Sequence, residues 1–357
     1  MVSKKRNKIL VECHHGIGDL VMTFPAIKEI RKKNPDSEIH MLVRNEQQKE
    51  LMLDIGLVDK CYTYDIVTSG VRHLLYLVKA FKKENYSLAY ALGQSPRGWD
   101  VLLIKLGGCK NIVSINHEHS LCGKYEKVDV GDCTHRIDQH LKCVGGTKYK
   151  KGDQDWMPLS EDVYRTLQKK LPMNDNKTKI GICLGTGDFF YRKGFKKIFY
   201  NAKQWPIDRF IQLGKMLEDK GIKVIYFGGN KEKQYLKQLQ ICIPEQSYDM
   251  IGKLTLVESV EMLKKCDLVV GADTGMMHCA AAVGVNNLTI FGSTDEKVIG
   301  PYSKKSYFLV NNQCQCRPCW GKKDRTIINC KERKCLNDIT EDVVYKKIMS
   351  IIKEKNE

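Results

Sequence analysis

The stretch DLVVGADTGMMHCAAAVGVNNLTIFG, residues 267–292, holds a polar turn between two apolar runs. The first run, 267–273, has the length and continuity of a buried strand, and a helical segment begins at Met276. The second run, 287–292, is typical of another buried strand. Strand, helix and strand in this order form a right-handed βαβ unit, so the stretch predicts two parallel strands joined by a helix.

The same alternation extends through the rest of the C-terminal half. Apolar runs at 180–185 and 223–229 predict two more strands, and helices are expected after Pro206 and from Lys231. This half therefore predicts a doubly wound α/β unit.

The N-terminal half repeats the pattern. We predict strands over Lys8–Cys13, Glu38–Val43, Leu88–Leu92 and Asn111–Ile115, and helices over Pro25–Lys33 and Val71–Lys83. The chain is long enough, at 357 residues, for two domains. Because proline and a polar run follow a predicted helix at 161–170, we place one Rossmann-like domain at 1–171 and a second at 179–340.

The charge balance points to anionic partners. Lysine and arginine number 59 against 42 aspartates and glutamates, which gives a net charge of +17, although a generally basic surface would give the same balance. The basic residues 1–8 precede an apolar run too short for a signal peptide, and no window is long enough for a membrane-spanning helix. We expect a cytoplasmic protein whose 15 cysteines are mostly reduced, buried thiols.

A glycine turn follows the first predicted strand. Gly16 and Gly18 allow a tight turn and a close approach to a ligand, and Asp19 lies where the turn opens toward the expected site. The spacing lacks the third glycine of a dinucleotide fingerprint. Asp19 could also serve as a helix N-cap, and His14 and His15 are better explained as turn residues than as metal ligands.

The turn in the opening stretch has the same form. Thr274 and Gly275 precede a helix whose free N–H groups suit a phosphate, and Asp273 is placed to contact a sugar hydroxyl or to brace the turn. The alternatives are simple capping by Asp273 and Thr274, and a core histidine at His278. The motif alone gives the two interpretations similar weight.

A cysteine cluster lies near the C-terminus. Cys314, Cys316, Cys319, Cys330 and Cys335 have spacings that suit a tetrahedral structural zinc site. We favour a structural role for this segment, without a bound metal ion, over a zinc site. A zinc knuckle that contacts nucleic acid is the third interpretation, because basic residues lie in the intervening loop.

Three segments together resemble glycosyltransferase family 9, the ADP-heptose:lipopolysaccharide heptosyltransferases and their relatives. They are GIGDLVMTFPAIKEIRKKNPDSEIHMLV, AKQWPIDRFIQLGKMLEDKGIKVIYFGG and DTGMMHCAAAVGVNNLTIFGSTDEKVIGP. The resemblance runs from residue 8 to about 345, with the motifs in the family's order. One departure is the stretch 184–206, which is longer and more basic than the short serine- or threonine-rich loop typical of the family.

The resemblance implies a GT-B fold, with two Rossmann-like domains facing a central cleft and a last helix, 341–357, that crosses back onto the first domain. It also implies an inverting transfer that needs no metal ion. The implied roles are Asp19 as general base, His278 in support of activity near the donor sugar, and Lys203 on the donor diphosphate. Further donor contacts are implied for Asp273, Thr274, Gly275, Thr186 and, through a looser match, Glu232 near the ribose.

We therefore expect an inverting glycosyltransferase that moves heptose from ADP-heptose onto a lipopolysaccharide core or a related glycan. Its expected partners are the nucleotide-sugar, an anionic glycolipid or glycan acceptor, and the cytoplasmic face of the inner membrane, with nucleic acid not expected. One alternative is a GT-B transferase with another sugar nucleotide and another acceptor. The other is a basic nucleic-acid-binding protein with a zinc knuckle.

Overall fold

The computed structural model describes residues 6–65, 68–93, 98–115, 124–149, 157, 165, 167, 176–186, 189–193, 196–200, 202–236, 247–320, 330 and 332–356. By its contacts the chain divides into two compact units, Met1–Lys150 with Trp156–Ser160, and Lys151–Asp155 with Glu161–Glu357. Most of the predicted helix at 161–170 and of the predicted linker at 172–178 lies outside the described residues.

The first unit contains a six-stranded parallel sheet in the order β3-β2-β1-β4-β5-β6. Its strands are β1 (Lys8–Glu12), β2 (Glu38–Val43), β3 (Lys60–Thr63), β4 (Leu88–Ala91), β5 (Ile112–Ile115) and β6 (Glu126–Val128). Its described helices are α1 (Ile17–Met22), α2 (Phe24–Lys33), α3 (Glu46–Asp54), α4 (Val71–Glu84), α5 (Trp99–Leu106) and α6 (Arg136–Cys143).

Strand β1 lies inside this sheet. Its residues Ile9, Leu10 and Val11 are buried, as expected for a parallel strand with both faces covered. It pairs with β2 on one side and with β4 on the other, so the strand order changes direction at β1. The loop that follows β1 is therefore at the switch point where ligands bind in this type of sheet.

The second unit contains a second six-stranded parallel sheet, in the order β11-β10-β7-β12-β13-β14. Its strands are β7 (Lys179–Cys183), β10 (Lys223–Phe227), β11 (Tyr248–Asp249), β12 (Leu268–Ala272), β13 (Asn286–Phe291) and β14 (Ser306–Val310). Its described helices are α7 (Ile207–Glu218), α8 (Leu256–Leu263), α9 (Gly275–Ala282), α10 (Glu296–Ile299), α11 (Lys334–Asn337) and α12 (Glu341–Asn356). Counted within the unit, the strand order is the same as in the first sheet.

A separate antiparallel hairpin lies between β7 and α7. It consists of β8 (Phe189–Lys193) and β9 (Lys196–Tyr200), with Phe190 opposite Phe199. This stretch was identified from the sequence as long and basic, but no strands were predicted there.

The last helix, α12, packs against the second unit. Its residues Val344, Ile348 and Ile351 are buried in the same core as Trp205 and α7. The indole Nε1 of Trp205 donates a 2.9 Å hydrogen bond to the carbonyl oxygen of Ile339, which fixes the start of this helix on that core.

Among the residues that the structure describes, no helix has the length and apolar character needed to cross a membrane.

Candidate active site

In the first unit, the turn after β1 presents Asp19. Gly16 is the extended N-cap of α1, and its carbonyl oxygen accepts a 3.0 Å hydrogen bond from the Leu20 N–H. The N-cap role considered for Asp19 is thus wrong, since Asp19 lies within the first helical turn and is exposed. A Cβ atom on Gly16 would lie 3.3 Å from Asp19 Oδ2, so the glycine leaves room for the carboxylate.

A buried ion pair between Glu12 and His14 lies at the end of β1, where this turn begins. Glu12 Oε1 lies 2.6 Å from His14 Nδ1 and accepts a 3.1 Å hydrogen bond from the His14 N–H. Glu12 Oε2 accepts a 3.2 Å hydrogen bond from the N–H of Gly93, which follows β4. Glu12 thus joins the ends of the two strands that flank the switch point.

The pair shifts the pKa of both partners. Burial acts to raise the pKa of Glu12, but the charge of His14 and its hydrogen bond outweigh it and lower that pKa. Burial acts to lower the pKa of His14, but Glu12 outweighs it and raises that pKa above the ordinary value. Glu12 was not predicted as a site residue, although a carboxylate within the apolar run ILVEC was an available signal.

Two side chains of α6 lie near Asp19 and were also missed. Burial lowers the pKa of Arg136, and the charge of Asp19 acts against that shift. Arg136 Nε is buried without a hydrogen-bond partner in the described part of the chain. His140 Nδ1 lies 3.1 Å from the carbonyl oxygen of Met22, and burial lowers the pKa of this imidazole to about 4. His140 is therefore neutral at physiological pH.

In the second unit, the turn after β12 holds a buried carboxylate against a lysine. Asp273 Oδ2 lies 2.6 Å from Lys203 Nζ and accepts a 2.7 Å hydrogen bond from the Thr294 hydroxyl. Lys203 Nζ also lies 5.0 Å from the centre of the Trp320 ring. The structure thus brings Lys203 and Asp273 together, and it adds contacts of Thr294 and Trp320, to which no role was assigned from the sequence.

Thr274 and Gly275 lie at the start of α9, directly after Asp273 in the chain. Thr274 is the extended N-cap, and its side chain accepts no hydrogen bond from the backbone of this fully described helix. Simple side-chain capping by Thr274 is therefore wrong. Gly275 begins the helix, and His278 is buried within it, three residues further on.

Thr186 and Glu232 lie at the carboxyl ends of β7 and β10. The Thr186 hydroxyl donates a 3.1 Å hydrogen bond to Gln204 Oε1, and Glu232 Oε2 accepts a 2.7 Å hydrogen bond from the Gly229 N–H. A Cβ atom on Gly185 would lie 2.7 Å from the Glu232 carboxyl carbon. Because β7 and β10 are neighbours in the sheet, the glycine allows the carboxylate of one loop to approach the backbone of the other.

The five clustered cysteines line one cavity of about 140 Å³, here termed the cysteine cavity. Burial, followed by the other four thiols, raises the pKa of Cys335 to about 12. None of the thirteen cysteines in the described residues forms a disulfide. Nor are three or more histidine, cysteine, aspartate or glutamate side chains of these residues already arranged around a metal position.

Comparison with known proteins gives relatives over most of the chain. Lipooligosaccharide heptosyltransferase 2 of Haemophilus influenzae is 28% identical over 324 residues, which cover 82% of this chain and 85% of the relative. The glycosyl transferase family 9 structure from Veillonella parvula superposes with a TM-score of 0.78 at 20% identity, covering 98% of both chains. E. coli heptosyltransferase WaaC with ADP-2-deoxy-2-fluoro heptose superposes with a TM-score of 0.69 at 16% identity, covering 96% of this chain and 99% of that one.

The shared fold, together with two parallel sheets of one strand order, confirms the predicted α/β GT-B fold class. The family model described as glycosyltransferase family 9 (heptosyltransferase) matches residues 147–327, just over half of the chain. The resemblance seen in the sequence is thereby confirmed, and the chain belongs to glycosyltransferase family 9.

Proposed function

We propose that the protein is an inverting transferase that moves heptose from ADP-heptose onto a lipopolysaccharide core or a related glycan by direct displacement. The observation that carries this proposal is Lys203, held 2.6 Å from buried Asp273 beside the N-terminus of α9. A cation and free helical N–H groups at one place suit a departing diphosphate. The names of the relatives, and the ADP-heptose analogue in the E. coli structure, support ADP-heptose as the donor.

The carboxylate of Asp19 is proposed as the general base. It takes the proton of the acceptor hydroxyl while that oxygen bonds to the anomeric carbon of the sugar. The bond from that carbon to the diphosphate oxygen breaks in the same step, and ADP leaves with its electron pair. The exposure of Asp19 supports this role because the acceptor has to reach the carboxylate.

Lys203 is proposed to stabilise the negative charge that develops on the diphosphate. An ammonium has three N–H donors, so its pairing with Asp273 is compatible with phosphate contacts. Asp273 Oδ2 already faces Lys203 and Thr294, and this favours bracing of the lysine over contact with the sugar. With the charge held by a lysine and a helix N-terminus, the reaction needs no divalent cation.

The remaining donor contacts are proposed for the strand ends around this pair. Thr274 and Gly275 are placed to meet the diphosphate at the start of α9, and Thr186 lies at the end of β7. Glu232, at the end of β10, is proposed to contact the ribose. His278, which lies within α9, is proposed to support activity near the sugar of the donor.

The proposal is tested by incubating the protein with ADP-heptose and a lipopolysaccharide core acceptor. We expect a product heavier by one heptose, with the anomeric configuration inverted relative to the donor, and one ADP released per transfer. UDP-, GDP- and CDP-sugars serve as parallel donors. Transfer from one of these in preference to ADP-heptose would contradict the proposed donor, and retention of configuration would contradict direct displacement.

The role of Lys203 has its own test. Lys203→Met is expected to weaken ADP binding by about 10-fold or more, because a hydrogen bond between charged groups contributes about 1.5–3 kcal/mol. Lys220→Met, at an exposed position of the same unit, is the matched control. Equal ADP affinity of the two variants in calorimetry would remove Lys203 from the donor site.

A further inference from the structure

Helix α4 of the first unit has one buried side and one exposed side. Leu77 and Phe81 are fully buried, and the Phe81 ring packs edge-on against Tyr62 of β3 with the ring centres 5.3 Å apart. These contacts fix the rotation of the helix on the sheet, so the residues on its other side are held outward. The exposed residues of this fully described helix are Val71, Arg72, Leu75, Tyr76, Lys79, Lys82 and Lys83.

These seven residues, here termed the α4 face, are all either basic or apolar. Exposure is 72% for Val71, 56% for Leu75 and 57% for Tyr76, so more than half of the surface of each apolar residue lies in water. The other four are cations, and none of the seven is acidic. An exposed helix face is normally polar with charges of both signs, so this composition indicates a partner that is both apolar and anionic.

An open cavity of about 330 Å³ lies beside the α4 face and is lined by residues of α4 and of the edge strand β3. The acidic group in its lining, Glu84, is already neutralised, because it pairs with Lys8 and its Oε1 lies 2.6 Å from Lys60 Nζ. Lys79 and Lys83 line the same cavity and form no ion pair with any residue that the structure describes. Their charges are therefore available to an anion from outside the chain.

The chemistry of the α4 face distinguishes between three kinds of partner. In a symmetric pair, a second copy of the chain would bring four cations against four with no acid to offset them. Nucleic acid would satisfy the cations but would leave the aliphatic side chains of Val71 and Leu75 without an apolar partner. An anionic membrane satisfies both, because lipid phosphates pair with lysine and arginine and the acyl boundary accepts apolar side chains.

We propose that the α4 face docks the protein on an anionic membrane surface. Val71, Leu75 and Tyr76 enter the boundary between headgroups and acyl chains, and the four cations contact lipid phosphates. A helix that binds in this way lies along the membrane plane and does not cross it. The docking does not rest on the proposed function, because neither the sugar donor nor the acceptor takes part in it.

Sedimentation with phosphatidylglycerol vesicles measures the contribution of the cations. Each basic residue near an anionic surface strengthens binding by about fivefold, so a triple variant with Lys79→Gln, Lys82→Gln and Lys83→Gln should bind about 100-fold more weakly. Urea unfolding checks that this variant keeps the stability of the wild type, as expected for substitutions at exposed positions.

The matched control removes the same number of charges from exposed positions of the second unit. It combines Lys220→Gln, Lys304→Gln and Lys346→Gln. Its binding should fall less than about fivefold, because charges more than a Debye length from the membrane are screened. Equal losses in the two triple variants would mean that only the net charge matters, and this would overturn the proposal.

A second experiment tests the entry of the apolar residues into the bilayer. Tyr76→Trp places an indole on the α4 face, and Val343→Trp places one at a position of α12 that is 45% exposed. Lipids brominated on the acyl chains should quench the added fluorescence of the first variant and leave that of the second unchanged. Equal quenching in the two variants, or quenching in neither, would contradict insertion of the α4 face.

Two further assays separate this proposal from nucleic-acid binding and from the proposed function. If the Lys79, Lys82 and Lys83 substitutions abolish binding to single-stranded RNA and leave vesicle binding intact, the face serves nucleic acid and the proposal fails. With a delipidated core acceptor, the same variant should transfer heptose as fast as the wild type. Vesicle binding as expected, with no transfer by any form of the protein, would refute the proposed function and leave the membrane surface standing.

Discussion

Asp19 differs from the other carboxylates at the two strand-end turns because its side chain is exposed, whereas Glu12 and Asp273 are buried. A buried carboxylate held by hydrogen bonds is suited to fixing a turn, and an exposed one can exchange a proton with an incoming substrate. Under the proposed mechanism, the two kinds of carboxylate have separate tasks.

This difference gives a prediction for Asp19→Asn. The amide keeps the shape of the side chain but cannot accept the hydroxyl proton, so kcat should fall about 10²- to 10⁴-fold. Steady-state transfer kinetics measure the loss, and calorimetry should show unchanged ADP affinity. Asp36→Asn, at an exposed position of the same unit, is the control. Turnover equal to the control would exclude Asp19 as the base.

The Glu12–His14 pair gives a second prediction, for stability against pH. The pKa of Glu12 falls from 4.5 to about 2, so its contribution is complete above pH 4.5 and is lost as the pH falls toward 2. The pKa of His14 rises above 6.5, so its contribution is complete below pH 6.5 and is lost as the pH rises through the higher value. The pair should therefore stabilise the fold most between pH 4.5 and 6.5.

A double-mutant cycle of Glu12→Gln and His14→Gln measures this effect. We expect a coupling free energy of unfolding of about 1–3 kcal/mol near pH 5.5 and a smaller one near pH 9. Equal coupling at the two pH values would show that the contact acts as a neutral hydrogen bond.

At the scale of elements, α7 packs on β10 through a glycine. A Cβ atom on Gly214 of α7 would lie 1.8 Å from the Tyr226 hydroxyl oxygen of β10, and Tyr226 is buried. Glycine normally weakens a helix by about 1 kcal/mol relative to alanine. Here a glycine is required because α7 approaches the sheet closely at this position.

Gly214→Ala is therefore expected to destabilise the second unit by about 1–3 kcal/mol despite the better helix propensity of alanine. Urea unfolding measures the change. Tyr226→Phe removes the nearest clashing atom, so the double variant should recover most of the loss. A stabilising effect of Gly214→Ala alone would mean that α7 can move away from the sheet without cost.

Much of the fold could be predicted at this scale because apolar runs mark buried parallel strands. The predicted strand Glu38–Val43 has the observed bounds, and the predicted helix Val71–Lys83 is one residue short of α4. Strand β3 was missed because four residues, KCYT, are too few to show a period. The β8–β9 hairpin was missed although its two strands contain FFY and IFY, whose aromatic and β-branched residues favour a strand.

The candidate site could be predicted less completely. Glycine turns after apolar strands located Asp19 and Thr274. Thr294, Gln204 and Trp320 come from other loops, and nothing in their local sequence indicates which side chain they contact. Only the folded chain brings them to Asp273, Thr186 and Lys203.

For the whole molecule, membership of glycosyltransferase family 9 changes the interpretation of the net charge of +17. Since the chain is a glycosyltransferase, the non-enzymatic alternative of a nucleic-acid-binding protein no longer accounts for that charge. An acceptor anchored in an anionic membrane would explain it, and we propose that the protein works at the cytoplasmic face of the inner membrane.

Vesicle binding tests this proposal. The protein should sediment with vesicles that contain anionic lipids at low salt and should be released near 1 M salt, where the Debye length shortens to about 3 Å. Vesicles of neutral lipid are the control. Equal binding to both, or binding that is insensitive to salt, would contradict an electrostatic attachment.

The contacts around Lys203 also bear on how the protein is made. Asp273, which pairs with Lys203, and Trp320, whose ring lies 5.0 Å from the lysine Nζ, both follow it in the chain, Trp320 by 117 positions. At about 5–20 residues per second, a ribosome needs roughly 6–23 s to cover that distance. During that interval a nascent chain carries the lysine without Asp273 and Trp320, so the proposed donor site is complete only near the end of synthesis.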